Sequence, residues 1–201
     1  MENRLNLWID TVAEDEATGD IAKLYEEARA KNPRGRVPPM IKVLSIRPGV
    51  ARAKEILRNE VLGDASSLGA KRADMISLVV SGMNDCRFCG TAHAGQMVRR
   101  GDSSPDQATQ LYLDWRKAEL DPQDVTMLEF CEKLNFTPSR VTQDDIQVLR
   151  DAGFNDENIL DIVACTAYRN FVNRIHDGLG MSVDILRGNL GDEFVDSFVR
   201  D

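Results

Sequence analysis

Histidine is almost missing from this chain, with two residues in 201, and there are only four cysteines. Any imidazole or thiol chemistry must therefore come from a very short list of side chains. Positive charge is also in deficit: 25 Lys and Arg stand against 33 Asp and Glu, a net charge of −8. Binding a polyanion depends on basic patches that release counterions, so nucleic acid is not an expected partner. Long apolar runs are absent. Stretches such as Met75-Ile76-Ser77-Leu78-Val79-Val80 fall far short of the roughly 20 residues that cross a bilayer, so no membrane partner is expected. The opening Met-Glu-Asn-Arg-Leu-Asn-Leu-Trp-Ile-Asp has no basic region followed by an apolar one, which leaves the cytoplasm as the expected location. In a reducing compartment, cysteines are more often free, catalytic or metal-bound than cross-linked.

What is present reads as helix. A chain of 201 residues is long enough for one well-filled core and short for two, so a single domain over 1–201 is expected. Ile21, Leu24, Tyr25 and Ala28 recur at helical spacing and predict a helix over 16–31. Short apolar segments follow around 40–46, then an amphipathic run through Ala53, Ile56, Leu57 and Val61 that begins after Pro48. Positions 63–69 read as a loop and 70–81 as an apolar helix. Gly82-Met83-Asn84-Asp85 then interrupts the chain, with Asn84 or Asp85 suited to cap a helix over 86–100 that Gly101 ends. Further helices are predicted at about 105–119, 122–134, 143–152, 156–178 and 191–199. No alternating strand pattern appears, and the expected fold is all-α. A faint internal echo links the run from Asp74 to Asn84 with the run from Leu160 to Asn170, two apolar helical segments that reach an asparagine at the same spacing.

Three of the six cysteine and histidine side chains fall within eight positions, in Cys86-Arg87-Phe88-Cys89-Gly90-Thr91-Ala92-His93. On an α-helix the spacing i, i+3, i+7 puts them within an arc of about 60°. Two thiols three residues apart can close into a disulfide once one is oxidised. An imidazole titrating near neutrality can take a proton from a thiol or give one to a departing alkoxide. A helix N-terminus stabilises a thiolate, which favours Cys86 as the more ionised of the two. The pattern is that of a reversible two-electron thiol centre.

Cys-x-x-Cys-x-x-x-His, with Asn84 two residues ahead and Gly101 soon after the helix, resembles the alkylhydroperoxidase D-like (AhpD-like) group of the carboxymuconolactone decarboxylase superfamily. The segments 17–25 and 37–48, and Asn170-Phe171-Val172-Asn173-Arg174 with Gly178-Leu179-Gly180, resemble its peroxidase-related branch. This resemblance implies an all-α AhpD-like helical bundle, with an N-terminal arm and helix over 1–37 and a core over 38–181. It also implies a homo-oligomer that reduces organic hydroperoxides or hydrogen peroxide without a cofactor or metal. Attack is assigned to Cys89 and resolution to Cys86, the reverse of the order that helix-end electrostatics favours. A glutamate that shares a proton relay with the histidine in the family falls at Asp74, twelve positions before Cys86. Aspartate keeps the carboxylate and shortens its reach, and Phe88 stands where some members carry a histidine. An external dithiol, lipoyl or thioredoxin-like, is the implied reductant.

Other readings of the same residues compete. Cys86, Cys89 and His93 can supply three ligands of a zinc-binding interaction module, but a closed site needs a fourth, and no spacing offers one. A non-enzymatic redox sensor would use the same thiols once per signal. A lactone decarboxylase would not need them. Cys131 and Cys165, among apolar neighbours, read as core. His176, in Arg174-Ile175-His176-Asp177, reads as a surface or interface residue, Glu14-Asp15-Glu16 as a solvated helix start, and Trp8 and Trp115 as packing or interface residues.

Overall fold

The computed structural model describes residues 5, 7–32, 34–63 and 65–199, and among them the fold is all-α, with no strand. The α-helices are α1 Gly19–Lys31, α2 Pro39–Val43, α3 Pro48–Leu62, α4 Gly69–Met83, α5 Arg87–Arg100, α6 Pro105–Asp114, α7 Pro122–Phe136, α8 Gln143–Asp151, α9 Asp156–Gly178, α10 Arg187–Leu190 and α11 Asp192–Asp196. Prolines open α2, α3, α6 and α7 at the first turn, where the missing N–H costs nothing because that group would have no helical partner. None of the described helices is long and apolar enough to cross a membrane.

α4 is the central element, as its nearly unbroken apolar run dictates. Every residue from Ala73 to Gly82 is buried, and the helix packs against α5, α6, α7 and α9. Two apolar clusters form around this axis. One joins Ile76, Leu78, Leu111, Leu128 and Ile162. The other joins α1, α2 and α3 to the far half of α9 through Tyr25, Ile41, Val43, Tyr168 and Val172, and it contains both Cys86 and Cys89. The thiols therefore lie where the α4–α5–α9 framework meets the N-terminal helices.

Several expected boundaries move. The first helix starts at Gly19, not 16, and Glu14 is a clamp: its carboxylate holds Arg29 at 2.5 Å and Lys42 at 2.6 Å, tying α1 to α2. The helix expected over 105–119 ends at Asp114 and tightens into a 3₁₀ turn, Trp115–Lys117. The last helix is shorter than its apolar pattern, and a 3₁₀ turn at Val183–Leu186 and α10 precede it. Trp115 is buried and donates to Glu132 at 3.2 Å. Trp8 is 77% exposed and lies against the backbone of Gly180.

Candidate active site

The turn between α4 and α5 differs from its expected form in a way that fixes the thiols. Asn84 and Asp85 do not cap α5; they end α4. Asp85 adopts φ 57°, left-handed backbone that aspartate tolerates better than most residues. Its N–H bonds to Gly82 O at 3.1 Å, while Cys86 N–H reaches back to Ser81 O at 2.9 Å. This is the Schellman pairing that closes a helix. Cys86 becomes the N-cap of α5, and Cys89 occupies the third helical position, among the N–H groups that no helical carbonyl accepts. The same asparagine that ends α4 enters a closed ring of amides. Asn84 donates to Asn170 at 3.1 Å, Asn170 to Asn135 at 2.8 Å and Asn135 back to Asn84 at 3.1 Å. The two asparagines of the internal echo thus meet, and they tie the thiol turn to α7 and α9.

Cys86 and Cys89 are free thiols, 0% and 2% exposed. The Cys86 S–H donates to Cys89 Sγ at 2.8 Å, and on its other side Cys89 meets His176 Nδ1 at 3.0 Å. Burial alone pushes the Cys89 thiol up. The hydrogen bonds from Cys86 and His176, with the charges of His176 and Arg169, outweigh it and hold Cys89 well below an ordinary thiol. Cys86 moves the opposite way: its hydrogen bond to Cys89, then its burial, then the neighbouring Cys89 and Asp177 charges all keep its proton on. Cys89 is therefore the thiol poised to ionise. The expectation that helix-end electrostatics favours Cys86 fails because its side chain makes no cap hydrogen bond and gives its S–H to Cys89 instead. Asp177, beside Cys86, is pushed up by burial.

His93 and Asp74 form a separate pair on the facing sides of α5 and α4. His93 Nδ1 lies 2.6 Å from Asp74 Oδ1, and Arg100 Nη1 holds the other carboxylate oxygen at 2.5 Å. Burial pushes Asp74 up, but the contacts with His93 and Arg100 prevail and keep it ionised. Burial first, and the charge of Arg169 second, hold the His93 imidazole below its usual range against the pull of Asp74. A neutral imidazole that gives its Nδ1 hydrogen to a carboxylate presents Nε2 as a proton acceptor. The shortened carboxylate at position 74 thus reaches its histidine directly.

All four expected site residues are buried on α4 and α5. They divide into a thiol pair and a His93–Asp74 pair. The histidine in contact with Cys89 is His176, which is 4% exposed, so its reading as a surface or interface residue is corrected. The charges around it in sequence hid a buried stripe along α9. Cys165, Arg169, Val172, Asn173 and His176 are all buried at helical spacing, and that periodicity is the signal that locates His176. Cys131 and Cys165 are core as expected, and burial pushes both thiols up to about 12. Among the described residues, the donors grouped closely enough to hold a metal ion are likewise Cys86, Cys89 and His176, all within 4.8 Å of one another, in place of the set with His93. An open cleft of about 350 Å³ lined by Met75, Met97, Asp102 and Gln107 includes none of the thiol residues.

This all-helical bundle with its buried dithiol has the AhpD-like fold of peroxidase-related proteins. The chain superposes with a TM-score of 0.79 on an uncharacterized peroxidase-related protein from Ralstonia eutropha JMP134, an alkylhydroperoxidase AhpD core, at 27% identity over 97% of this chain and 98% of that one. An uncharacterized peroxidase-related protein from Silicibacter sp. TM1040 gives a TM-score of 0.78 at 28% identity, over 90% and 94% of the two chains. In sequence, the chain is 25% identical to the uncharacterized protein YdfG of Bacillus subtilis (strain 168) across 116 residues, 57% of this chain and 78% of that protein. No protein-family model matches the chain.

Proposed function

We propose that the chain is a thiol-dependent peroxidase that reduces organic hydroperoxides or hydrogen peroxide at Cys89. The observation that carries this reading is the placement of Cys89 Sγ between a thiol donor at 2.8 Å and an imidazole at 3.0 Å. Transfer of the Cys89 proton to His176 gives a thiolate beside an imidazolium. The thiolate attacks the terminal peroxide oxygen, an S–O bond forms and the O–O bond breaks. The departing alkoxide or hydroxide takes the proton from His176, leaving alcohol or water and a sulfenic acid on Cys89. Cys86 then loses its proton, with Asp177 as the neighbouring acceptor, and attacks the Cys89 sulfur; the disulfide forms and water leaves. His93, held by Asp74, serves as a second proton acceptor on the same helix. An external dithiol, lipoyl or thioredoxin-like, returns the disulfide to two thiols and is itself oxidised to a disulfide.

One equivalent of hydroperoxide added to the reduced protein is expected to yield a single intramolecular Cys86–Cys89 disulfide by peptide mass spectrometry. Cys89→Ser should abolish peroxide consumption, and Cys86→Ser should stop at a sulfenic acid trapped by dimedone. Full turnover in both variants would remove the reading. The cluster of three metal-ligating donors supports a second possibility, a zinc-holding thiol centre with water in the fourth position. Metal analysis of freshly purified protein separates the two, since stoichiometric zinc on these thiols would block peroxide attack.

A further inference from the structure

Arg169, in the middle of α9, is 3% exposed, and no carboxylate among the described residues pairs with it. Its guanidinium has one long hydrogen bond, Nη2 to Ser77 Oγ at 3.4 Å, and a contact over the Tyr168 ring with 5.6 Å to the centroid. Its Nε–H has no partner. Taking a cation out of water without a counter-charge is costly, so the position of the negative charge matters. The nearby carboxylates are otherwise engaged: Asp74 holds His93 and Arg100, Glu55 holds Lys54 at 2.5 Å, and Asp177 lies against Cys86. The remaining group able to carry a negative charge here is Cys89, and the charge of Arg169 bears on both Cys89 and His93.

The same edge of α9 carries further unused hydrogen-bonding groups. Asn173, one turn after Arg169, accepts from Ser81 Oγ at 3.2 Å through its carbonyl, while its buried amide Nδ2 has no partner. His176, at the next turn, contacts Cys89 through Nδ1 and leaves Nε2 without one. Five buried side-chain N or O atoms lack a partner among the described residues, and three of them sit on this edge. Unpaired buried groups of this kind on one helix edge are suited to receive a polar partner.

We propose that Arg169 is the buried counter-ion of the ionised Cys89 sulfur, and that its Nε–H, with the Asn173 amide, receives the negative oxygen that leaves the hydroperoxide. This rests on the peroxidase reading. The ligand class is an oxyanion, alkoxide or hydroxide, formed as the O–O bond breaks. It is held until it takes its proton from His176. The groups that also bear on Cys89 are Cys86 at the cap of α5, His93 on α5, and His176 and Asp177 on α9; Asp74 on α4 faces His93, and Lys54 with Glu55 on α3 faces Arg169.

Two readouts test the proposal in the full-length protein. Thiolate formation is followed by absorbance at 240 nm against pH for the native protein, Arg169→Met and Arg169→Lys; Cys131 and Cys165, pushed up to about 12, stay silent. The midpoint is expected to rise by at least about one pH unit in Arg169→Met and to return most of the way in Arg169→Lys. An unchanged midpoint in a folded Arg169→Met overturns the counter-ion role. Hydrogen peroxide consumption is then measured above both midpoints, where the thiolate is fully formed. A residual loss of tenfold or more in Arg169→Met and in Asn173→Ala supports the oxyanion role, and equal rates overturn it. Should Arg169→Met fail to fold, Arg169→Gln, which removes the charge and retains a donor for Ser77, is read by the same midpoint. A midpoint shift in Arg169→Met alongside a native protein that ignores hydroperoxide would defeat the peroxidase reading while leaving the counter-ion intact.

Discussion

At the level of single residues, the two histidines do different work because of what each faces. His176 faces sulfur, and a hydrogen bond to a charged group is worth about 1.5–3 kcal/mol. His176→Phe keeps an aromatic ring against Phe88, whose ring now meets the imidazole edge-on at 4.8 Å, but removes that bond. Alkylation of Cys89 by iodoacetamide at neutral pH is expected to slow by roughly ten- to a hundredfold, the rate equivalent of that energy. A variant that alkylates at the native rate would take His176 out of the thiol chemistry. His93 faces a carboxylate and is held below its ordinary value of 6.5. The unfolded chain binds that proton near 6.5, and the folded protein binds it only at lower pH. The unfolded state therefore holds more protons in between, and stability falls as pH drops below 6.5. Melting temperature is expected to decline from about pH 7.5 to about 5.5, and His93→Gln should flatten that decline. The Asp74 contribution occupies a different window. With its folded value below the ordinary 3.8, its stabilisation is present above 3.8 and disappears only as pH falls through the lower value.

At the level of elements, the α4–α5 turn converts spacing into chemistry. Asp85 holds left-handed backbone at φ 57°, a conformation that costs a β-branched residue roughly 1–2 kcal/mol more than it costs glycine. Asp85→Val should therefore lower the melting temperature and loosen the thiol pair, whereas Asp85→Gly should leave both intact. Thermal melts with dithiol titration of the two variants distinguish a turn that sets the site from one that merely connects helices. One residue past Cys89, an added Cβ on Gly90 would sit 2.3 Å from the buried Tyr112 ring. Gly90→Ala is expected to cost about 1–3 kcal/mol by overpacking, read by urea denaturation.

How much of this was readable beforehand follows from range. Cys86, Cys89 and His93 share a helix face by local spacing, and Gly101 closes α5 at φ 77° as its residue type indicates. The left-handed Asp85 was not readable, because an aspartate after an asparagine serves equally well as an N-cap or as the end of the preceding helix. His176 lies 87 positions from Cys89, and local charge favours the surface for it. Only the buried stripe of α9, running from Cys165 through Arg169 and Asn173, carries the opposite indication.

Across the whole molecule, packing links the last described residues to the helix that bears the thiols. Phe198 is 1% exposed and belongs to the larger apolar cluster. Its ring meets Tyr112 at 5.3 Å and Phe194 at 5.1 Å, both edge-on. Tyr112 in turn presses on Gly90 of α5, and Arg87, at the start of that helix, donates to Val195 O at 2.9 Å. The ionisation of Cys89 is set by its contacts with Cys86 and His176 and by the charge of Arg169, none of which belongs to this tail packing. Stability and thiol chemistry should therefore separate at Phe198. Phe198→Ala removes a buried aromatic ring, a change that costs about 3–5 kcal/mol, or on the order of 10 °C in melting temperature for a chain of this length. The pH midpoint of thiolate absorbance at 25 °C should stay at the native value. An unchanged melting temperature would show that the segment after α11 is not part of the core, and a displaced midpoint would show that tail packing reaches through Tyr112 and Gly90 to the sulfur.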